Sequence, residues 1–130
     1  MTDLLSTEDY KSIAAGLSFP TQAFIDGASR PALSGQTFAT TNPATGEALA
    51  EIAACDARDV DLAVAAARAA FEDGRWSRLH PGERKHVLLR LAALMEENAR
   101  ELAVLESLDA GKTIFDCETV DVPETIHVLR

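Results

Sequence analysis

One apolar pattern restricts the fold of this chain more than any other feature of the sequence. Large apolar residues recur at intervals of mostly three and four between Pro81 and Gly111, which is the period of a helix with one buried face. Pro81 suits the first position of a helix, and Gly111 suits the position just after its end. The pattern predicts one helix of roughly 40 Å, which needs more partner surface than a chain of this size supplies. The residues of this stripe are Leu88, Leu91, Met95, Leu102, Leu105 and Leu108.

Two further helices are predicted on either side of this one. Asp56 is a good N-cap, and Asp59 follows three residues later, where a carboxylate favours the start of a helix. Gly74 ends this earlier helix. Its apolar stripe consists of Val60, Val64, Ala67 and Phe71.

The later helical segment begins near Thr113 and contains Pro123, which is expected to start, kink or break it. Ile126 and Leu129 continue its apolar face up to Arg130, and no capping residue precedes the end of the chain. We therefore expect the chain to be a segment of a longer protein.

Short strands are predicted before these helices. Residues 1–20 show weak helical periodicity, with Thr7 as a candidate cap and Gly16 as the end, and we interpret them as a peripheral arm. The dipeptide Asp26-Gly27 follows two apolar residues and favours a tight hairpin turn. Residues 37–41 and 48–54 predict two more strands around an Asn-Pro turn, which makes three short strands in one antiparallel layer. The predicted organisation is an arm over residues 1–20 and part of a domain over residues 21–130.

The charge balance excludes several classes of function. The formal net charge is −9, with 12 Lys and Arg residues against 21 Asp and Glu residues, so the clustered basic residues that bind nucleic acid or anionic membranes are missing. No segment approaches the roughly 20 apolar residues of a membrane span, and the acidic N-terminus suits neither a secretory nor a mitochondrial leader. These features predict a cytoplasmic protein without nucleic-acid or membrane partners.

The short motifs that suggest chemistry are weak. Gly111-Lys112-Thr113 resembles the end of a phosphate-binding loop, but Glu106 stands where that loop needs a glycine, and a predicted helix precedes the motif. Cys55 and Cys117 each lie beside acidic residues, which disfavour the thiolate that a nucleophile needs. We interpret both cysteines as packing residues.

Asp121 and Glu124 form the most informative charged pair. They are three residues apart on a predicted helix and therefore share a face. Paired carboxylates can perform acid/base chemistry or bind a cation, and a solvated acidic face is the more common alternative. The residues by themselves indicate a soluble α+β segment without a complete catalytic constellation.

Several motifs in order resemble the aldehyde dehydrogenase superfamily. Residues 37–47 (TFATTNPATGE) resemble its N-terminal signature, and residues 24–27 (FIDG) resemble its first hairpin. Residues 60–76 (VDLAVAAARAAFEDGRW) resemble its first helix with the tryptophan that follows. Glu83-Arg84 with Leu88, followed by residues 105–112 (LESLDAGK), resembles the long second helix and its end. The resemblance covers roughly residues 22–130.

The resemblance implies a fold and a reaction for the full-length protein. Its fold class would be α/β, with short antiparallel strands and long helices leading into a Rossmann-like cofactor domain. In the family a cysteine thiolate attacks the aldehyde, hydride passes to NAD or NADP, and an activated water hydrolyses the thioester. The catalytic cysteine, the general-base glutamate, the oxyanion-hole asparagine and the cofactor loop belong to later sequence. The resemblance also implies a homo-oligomer, a dimer or tetramer, that acts on a small aldehyde.

Two sets of residues here match functional places of the family. Thr40, Thr41 and Asp109 match a site for Na⁺ or K⁺ made of main-chain oxygens and one aspartate. Glu124 and Asp121 fall where the family lines its substrate tunnel, and carboxylates there suit an aldehyde with a distant amine or guanidinium. The competing interpretation is a non-catalytic helical module for oligomerisation or interaction, because helix faces without partners tend to self-associate.

Overall fold

The computed structural model of the chain describes residues 4–130 and forms two compact units. The first unit contains the described residues up to Ser18, together with residues 41–47 and 85–130, and the second contains residues 19–40 and 48–84. No helix in residues 4–130 is long and apolar enough to cross a membrane. The elements are α1 (Thr7–Gly16), β1 (Ala23–Ile25), β2 (Ala28–Arg30), β3 (Thr37–Thr41), β4 (Ala48–Ala53), α2 (Ala57–Glu72), α3 (Pro81–Glu97), α4 (Ala99–Ala110), α5 (Ile114–Asp116), a π-helical turn (Cys117–Asp121) and α6 (Val122–Val128).

The strands form two hairpins. β1 and β2 pair antiparallel, with Ala23 opposite Arg30, and the turn between them has Asp26 at φ 53° and Gly27 at φ 74°. Two successive positive φ values are those of a type I′ turn, as Asp-Gly predicted. β3 and β4 form a separate two-stranded sheet. The prediction of three strands in one layer was therefore wrong, because Ala28–Arg30 lacks the β-branched residues that signal a strand and pairs only because the turn aligns it.

The predicted cap of α2 is confirmed. The Asp56 side chain accepts a hydrogen bond from the Arg58 backbone N–H, and the Asp59 carboxylate accepts one from the Asp56 N–H at 2.9 Å. Asp59 is buried and also accepts the Leu33 backbone N–H at 2.9 Å. One carboxylate thus joins the start of α2 to the loop after β2.

The apolar stripe of α2 does not face a core. Val60, Val64 and Phe71 are 57%, 61% and 61% exposed, whereas the buried residue of this helix is Asp59. The strand that packs against α2 is β1, and so short a strand covers only part of a helix of 16 residues.

The core of the first unit lies where α3 and α4 meet the later helices. It is small because alanine, valine and cysteine contribute most of it. Helix α1 packs against α4 and is capped by Ser6 and Asp9 rather than by the predicted Thr7. The buried core residues are Ala92, Ala103, Cys117, Val122 and Ile126.

The single long helix predicted for residues 81–111 is instead two helices. α3 ends at Glu97 and α4 begins at Ala99. Between them Asn98 has φ −116° and ψ 20°, and its side-chain amide donates a hydrogen bond to the Leu94 carbonyl at 2.8 Å. A short polar side chain that bonds the backbone in this way competes with the helical ladder. Gly111 ends α4 at φ 69°, as predicted.

Pro123 lies in the first turn of α6, directly after the π-helical turn. A proline inside a regular helix lacks a donor, and its ring clashes with the carbonyl four residues earlier. The wider π-helical turn before Pro123 separates α5 from α6 and lets the chain remain helical through the proline. Of the three outcomes that the sequence left open at Pro123, the structure shows the start of a helix, but the π-helical turn before it was not predicted.

Candidate functional site

The end of α4 and the Asn-Pro turn approach closely within the first unit. A Cβ atom on Gly111 would lie 2.6 Å from Cγ of Pro43, so a side chain fits at this position only if Pro43 shifts. Asn42 shapes the turn by accepting the Ala44 N–H at 2.9 Å through its side-chain oxygen. The Ser107 hydroxyl donates to the Lys112 carbonyl at 2.7 Å. These contacts place Lys112 at the beginning of the segment that leads to Asp121.

A compact charged group, which we call the Asp121 cluster, lies beside this segment. It consists of Glu106, Cys117, Asp121 and Lys112. The first three place one ligand atom each within 4.8 Å of one another, and the Lys112 ammonium forms an ion pair with Asp121. The three ligand atoms are close enough to bind one metal ion. In the structure, the positive charge beside them is the ammonium group of Lys112. The hydrogen bond to Asp121 raises the pKa of Lys112, which keeps it charged.

The thiol of Cys117 is unsuited to catalysis. It is fully buried, and burial together with the negative charges of Glu106 and Asp121 raises its pKa. A thiol with a raised pKa remains protonated at neutral pH and is a poor nucleophile. Cys55 is exposed and lies beside the N-cap Asp56.

A second group, the Glu118 network, was missed by sequence reasoning. Glu118 is buried in the π-helical turn and accepts hydrogen bonds from the Tyr10 hydroxyl at 2.5 Å and from Nε of Arg100 at 3.3 Å. Burial and the hydrogen bond to Glu118 raise the pKa of Tyr10. In the sequence, Glu118 stood out only as an acidic neighbour of Cys117, and no local pattern connects it to Tyr10.

Glu118 also lines a pocket of about 680 Å³ in the first unit. Its walls come from the junction of α3 and α4 and from α6. Val122, Pro123 and Ile126 provide apolar surface, while Arg100 and Arg130 face acidic partners. Asp121 and Glu124 are not among its lining residues.

The two predicted substrate residues occupy different environments. Asp121 is half-buried at the end of the π-helical turn and is paired with Lys112. Glu124 lies in the first turn of α6 and is exposed. Asp121 has helical dihedral angles, φ −66° and ψ −51°, and directly precedes α6, so their common role as substrate residues stays a prediction.

The three predicted cation ligands lie at the ends of elements. Thr40 and Thr41 close β3, and Asp109 is the penultimate residue of α4. Thr40 belongs to the second unit, whereas Thr41 and Asp109 belong to the first. Their shared role as ligands stays a prediction.

Comparison with known proteins identifies the family. Residues 31–130 match the aldehyde dehydrogenase family, and the chain belongs to it. It is 63% identical over 130 residues to aminoacetaldehyde dehydrogenase of Pseudomonas aeruginosa. The aligned region covers all of this chain and 26% of that protein. The chain thus spans about a quarter of the length of this relative.

Solved structures agree with this assignment. The γ-glutamyl-γ-aminobutyraldehyde dehydrogenase of Burkholderia cenocepacia superposes with a TM-score of 0.92 at 52% identity, over 95% of this chain and 25% of that one. The indole-3-acetaldehyde dehydrogenase of P. syringae, in complex with NAD⁺, superposes with a TM-score of 0.94 at 45% identity, over 97% and 26%. The predicted fold, the N-terminal part of the aldehyde dehydrogenase fold, is therefore confirmed.

Proposed function

We propose that the whole protein is an NAD-dependent aldehyde dehydrogenase that oxidises aldehydes carrying an amine or guanidinium to carboxylic acids. The observation that carries this proposal is the 63% identity, over all 130 residues, to a protein named aminoacetaldehyde dehydrogenase. The NAD⁺ bound in a solved relative supports the choice of cofactor. This segment would supply one wall of the substrate tunnel.

The charges of the first unit support a cationic substrate. Glu106 and Asp121 bring two carboxylates together, and the Lys112 ammonium neutralises one of them. Glu124, a few residues further on, adds an exposed carboxylate. The net negative charge that remains favours binding of an ammonium or guanidinium group.

Chemistry at the aldehyde carbon belongs to other parts of the protein in this proposal. Cys117 is a buried thiol with a raised pKa, and Cys55 lies beside the carboxylate of Asp56, so neither is assigned the role of the nucleophile. The 130-residue segment alone is expected not to oxidise aldehydes. We further propose that the whole protein is a cytoplasmic homo-oligomer, a dimer or tetramer, and that it binds Na⁺ or K⁺ through Thr40, Thr41 and Asp109.

Replacing Glu124 tests the substrate preference. The full-length Glu124→Gln enzyme is compared with the wild type on an ω-aminoaldehyde and on the neutral aldehyde in which a methyl group replaces the ammonium. We expect kcat/KM to fall roughly tenfold for the aminoaldehyde, because a charged hydrogen bond is lost, and less than about twofold for the neutral aldehyde.

Glu101→Gln is the matched control, because Glu101 is an exposed glutamate on α4. It should leave the ratio of the two kcat/KM values unchanged. If Glu124→Gln also leaves this ratio unchanged, Glu124 does not bind the ammonium group of the substrate.

A further inference from the structure

The buried carboxylate of Glu118 lies in the same short turn as Asp121. The π-helical turn contains five residues, Cys117–Asp121, and Glu118 is its second residue. The Glu118 side chain is only 3% exposed. A carboxylate withdrawn from water to this extent is stable only with charged or hydrogen-bonding partners.

Its partners come from two other helices. The Tyr10 hydroxyl of α1 donates to one carboxylate oxygen of Glu118 at 2.5 Å, and Nε of Arg100 on α4 donates to the other at 3.3 Å. Tyr10 and Glu118 are 108 positions apart in the sequence. The turn that carries Asp121 is therefore anchored at Glu118 to both α1 and α4.

Two backbone carbonyl groups around this turn accept hydrogen bonds from side-chain hydroxyls. The Thr119 hydroxyl donates to the Phe115 carbonyl at 2.7 Å, and the Thr125 hydroxyl donates to the Asp121 carbonyl at 2.8 Å. Side-chain bonds of this kind weaken and bend helices. The turn is thus held by the packing of Cys117 in the core and by the hydrogen bonds of Glu118.

We propose that Tyr10 and Glu118 are positioning residues: they hold the π-helical turn so that Asp121 stays in its cluster with Lys112 and Glu106. Through Asp121 they set the preference for cationic aldehydes. This inference rests on the proposed function, in which Asp121 lines the substrate tunnel. The loss of the Tyr10 hydroxyl leaves the Glu118 carboxylate with fewer donors, so we expect the turn, and Asp121 with it, to be held less firmly.

The experiment uses the full-length enzyme with Tyr10→Phe and Glu118→Ala, and Glu118→Gln as the conservative variant. Two quantities are measured: amide hydrogen exchange over residues 117–121, and KM and kcat for the ω-aminoaldehyde and its neutral counterpart. Tyr10→Phe should speed amide exchange in the turn about tenfold and raise KM for the aminoaldehyde by a similar factor. The kcat values and KM for the neutral aldehyde should change less than about twofold.

Two comparisons sharpen this result. Glu118→Gln keeps an oxygen that can accept from Tyr10, so its effect should lie between those of the wild type and Glu118→Ala. Glu101→Gln, on the exposed surface of α4, should change neither amide exchange nor KM.

Four results overturn the inference. Unchanged exchange in Tyr10→Phe shows that the network does not hold the turn, and an equal loss of kcat with both aldehydes shows a general structural role. A third result is that Tyr10→Phe speeds exchange without changing the ratio of the two KM values, whereas Asp121→Asn does change this ratio. Asp121 then remains a substrate residue, but Tyr10 and Glu118 do not position it. If Asp121→Asn itself leaves the ratio unchanged, the proposed tunnel role of Asp121 fails and the inference fails with it.

Discussion

Gly111 shows how one residue can satisfy a local and a tertiary requirement at once. Its φ of 69° ends α4 in the left-handed region, which glycine adopts at low cost. The ring of Pro43 occupies the space that a side chain would need. The sequence predicted the first requirement from the position of the glycine after the leucine stripe. Only the packed structure reveals the second.

Replacing Gly111 with alanine separates these two requirements when two other glycines serve as references. Gly46 has a similar φ of 75° but nothing within 4 Å of its Cβ position, and Gly16 has open space without a positive φ. Gly46→Ala should cost about 1 kcal/mol of unfolding free energy, and Gly111→Ala should cost about 3 kcal/mol because overpacking against Pro43 is added.

Chemical denaturation of the three full-length variants measures these losses. Gly16→Ala should be neutral or slightly stabilising, because it lies at the end of a helix. Equal losses for Gly46→Ala and Gly111→Ala would contradict the role assigned to Pro43.

Among the elements, α2 is joined to the loop after β2 by one buried carboxylate, that of Asp59. The sequence predicted Asp59 as part of the helix start, since it follows the N-cap Asp56 by three residues, where a carboxylate favours the start of a helix. It did not predict that Asp59 is buried or that it binds the Leu33 N–H. That contact joins residues 26 positions apart.

Asp59→Ala should therefore destabilise more than the loss of an ordinary cap. Two backbone N–H groups lose their acceptor, which should cost roughly 2–3 kcal/mol. Amide exchange at Asp56 and Leu33 in the full-length protein measures the effect, and both amides should exchange faster.

Asp61→Ala is the matched control, because Asp61 is an exposed aspartate on the same helix. It should leave both amides protected. If Asp59→Ala speeds exchange at Asp56 alone, the link between α2 and the loop is weaker than the geometry indicates.

The helices of the first unit show where periodicity fails as a guide. The apolar stripe of residues 88–108 has a gap of seven residues between Met95 and Leu102, which still fits one helix face, so the pattern predicted one helix where the structure has two. The π-helical turn before Pro123 left no mark in the pattern either. At the break at Asn98 and in the π-helical turn, a backbone carbonyl accepts a hydrogen bond either from a side chain or from a backbone N–H of the next turn. Hydrophobic spacing carries no information about which donor is used.

At the scale of the whole molecule, the chain covers about a quarter of the aminoacetaldehyde dehydrogenase of Pseudomonas aeruginosa. The exposed stripe of α2, with Val60, Val64 and Phe71, is apolar surface that this segment does not bury by itself. The matched relative is about four times as long as this chain, and its further residues could pack against such a face. The activity proposed above is accordingly a property of the complete enzyme.

The proposed monovalent-cation site also belongs to this scale. Titration of the full-length protein with Na⁺ or K⁺, at constant ionic strength maintained with a bulky organic cation, should raise its thermal unfolding midpoint by linkage. Asp109→Asn should abolish the rise because it removes the only charged ligand proposed. Glu101→Gln should retain it, and a rise that persists in Asp109→Asn would remove Asp109 from the site.

The sequence by itself determined the features that depend on neighbours within a few residues: the Asp-Gly hairpin, the N-cap at Asp56, and the glycine that ends α4. It also determined the family, because several such motifs occur in a specific order. Tertiary structure alone decided that Glu118 meets Tyr10, that Pro43 occupies the space of a side chain at Gly111, and that the α2 stripe stays exposed. The reason is physical: caps and turns are closed by local hydrogen bonds, whereas burial and long-range pairing depend on which distant surfaces the folded chain brings together.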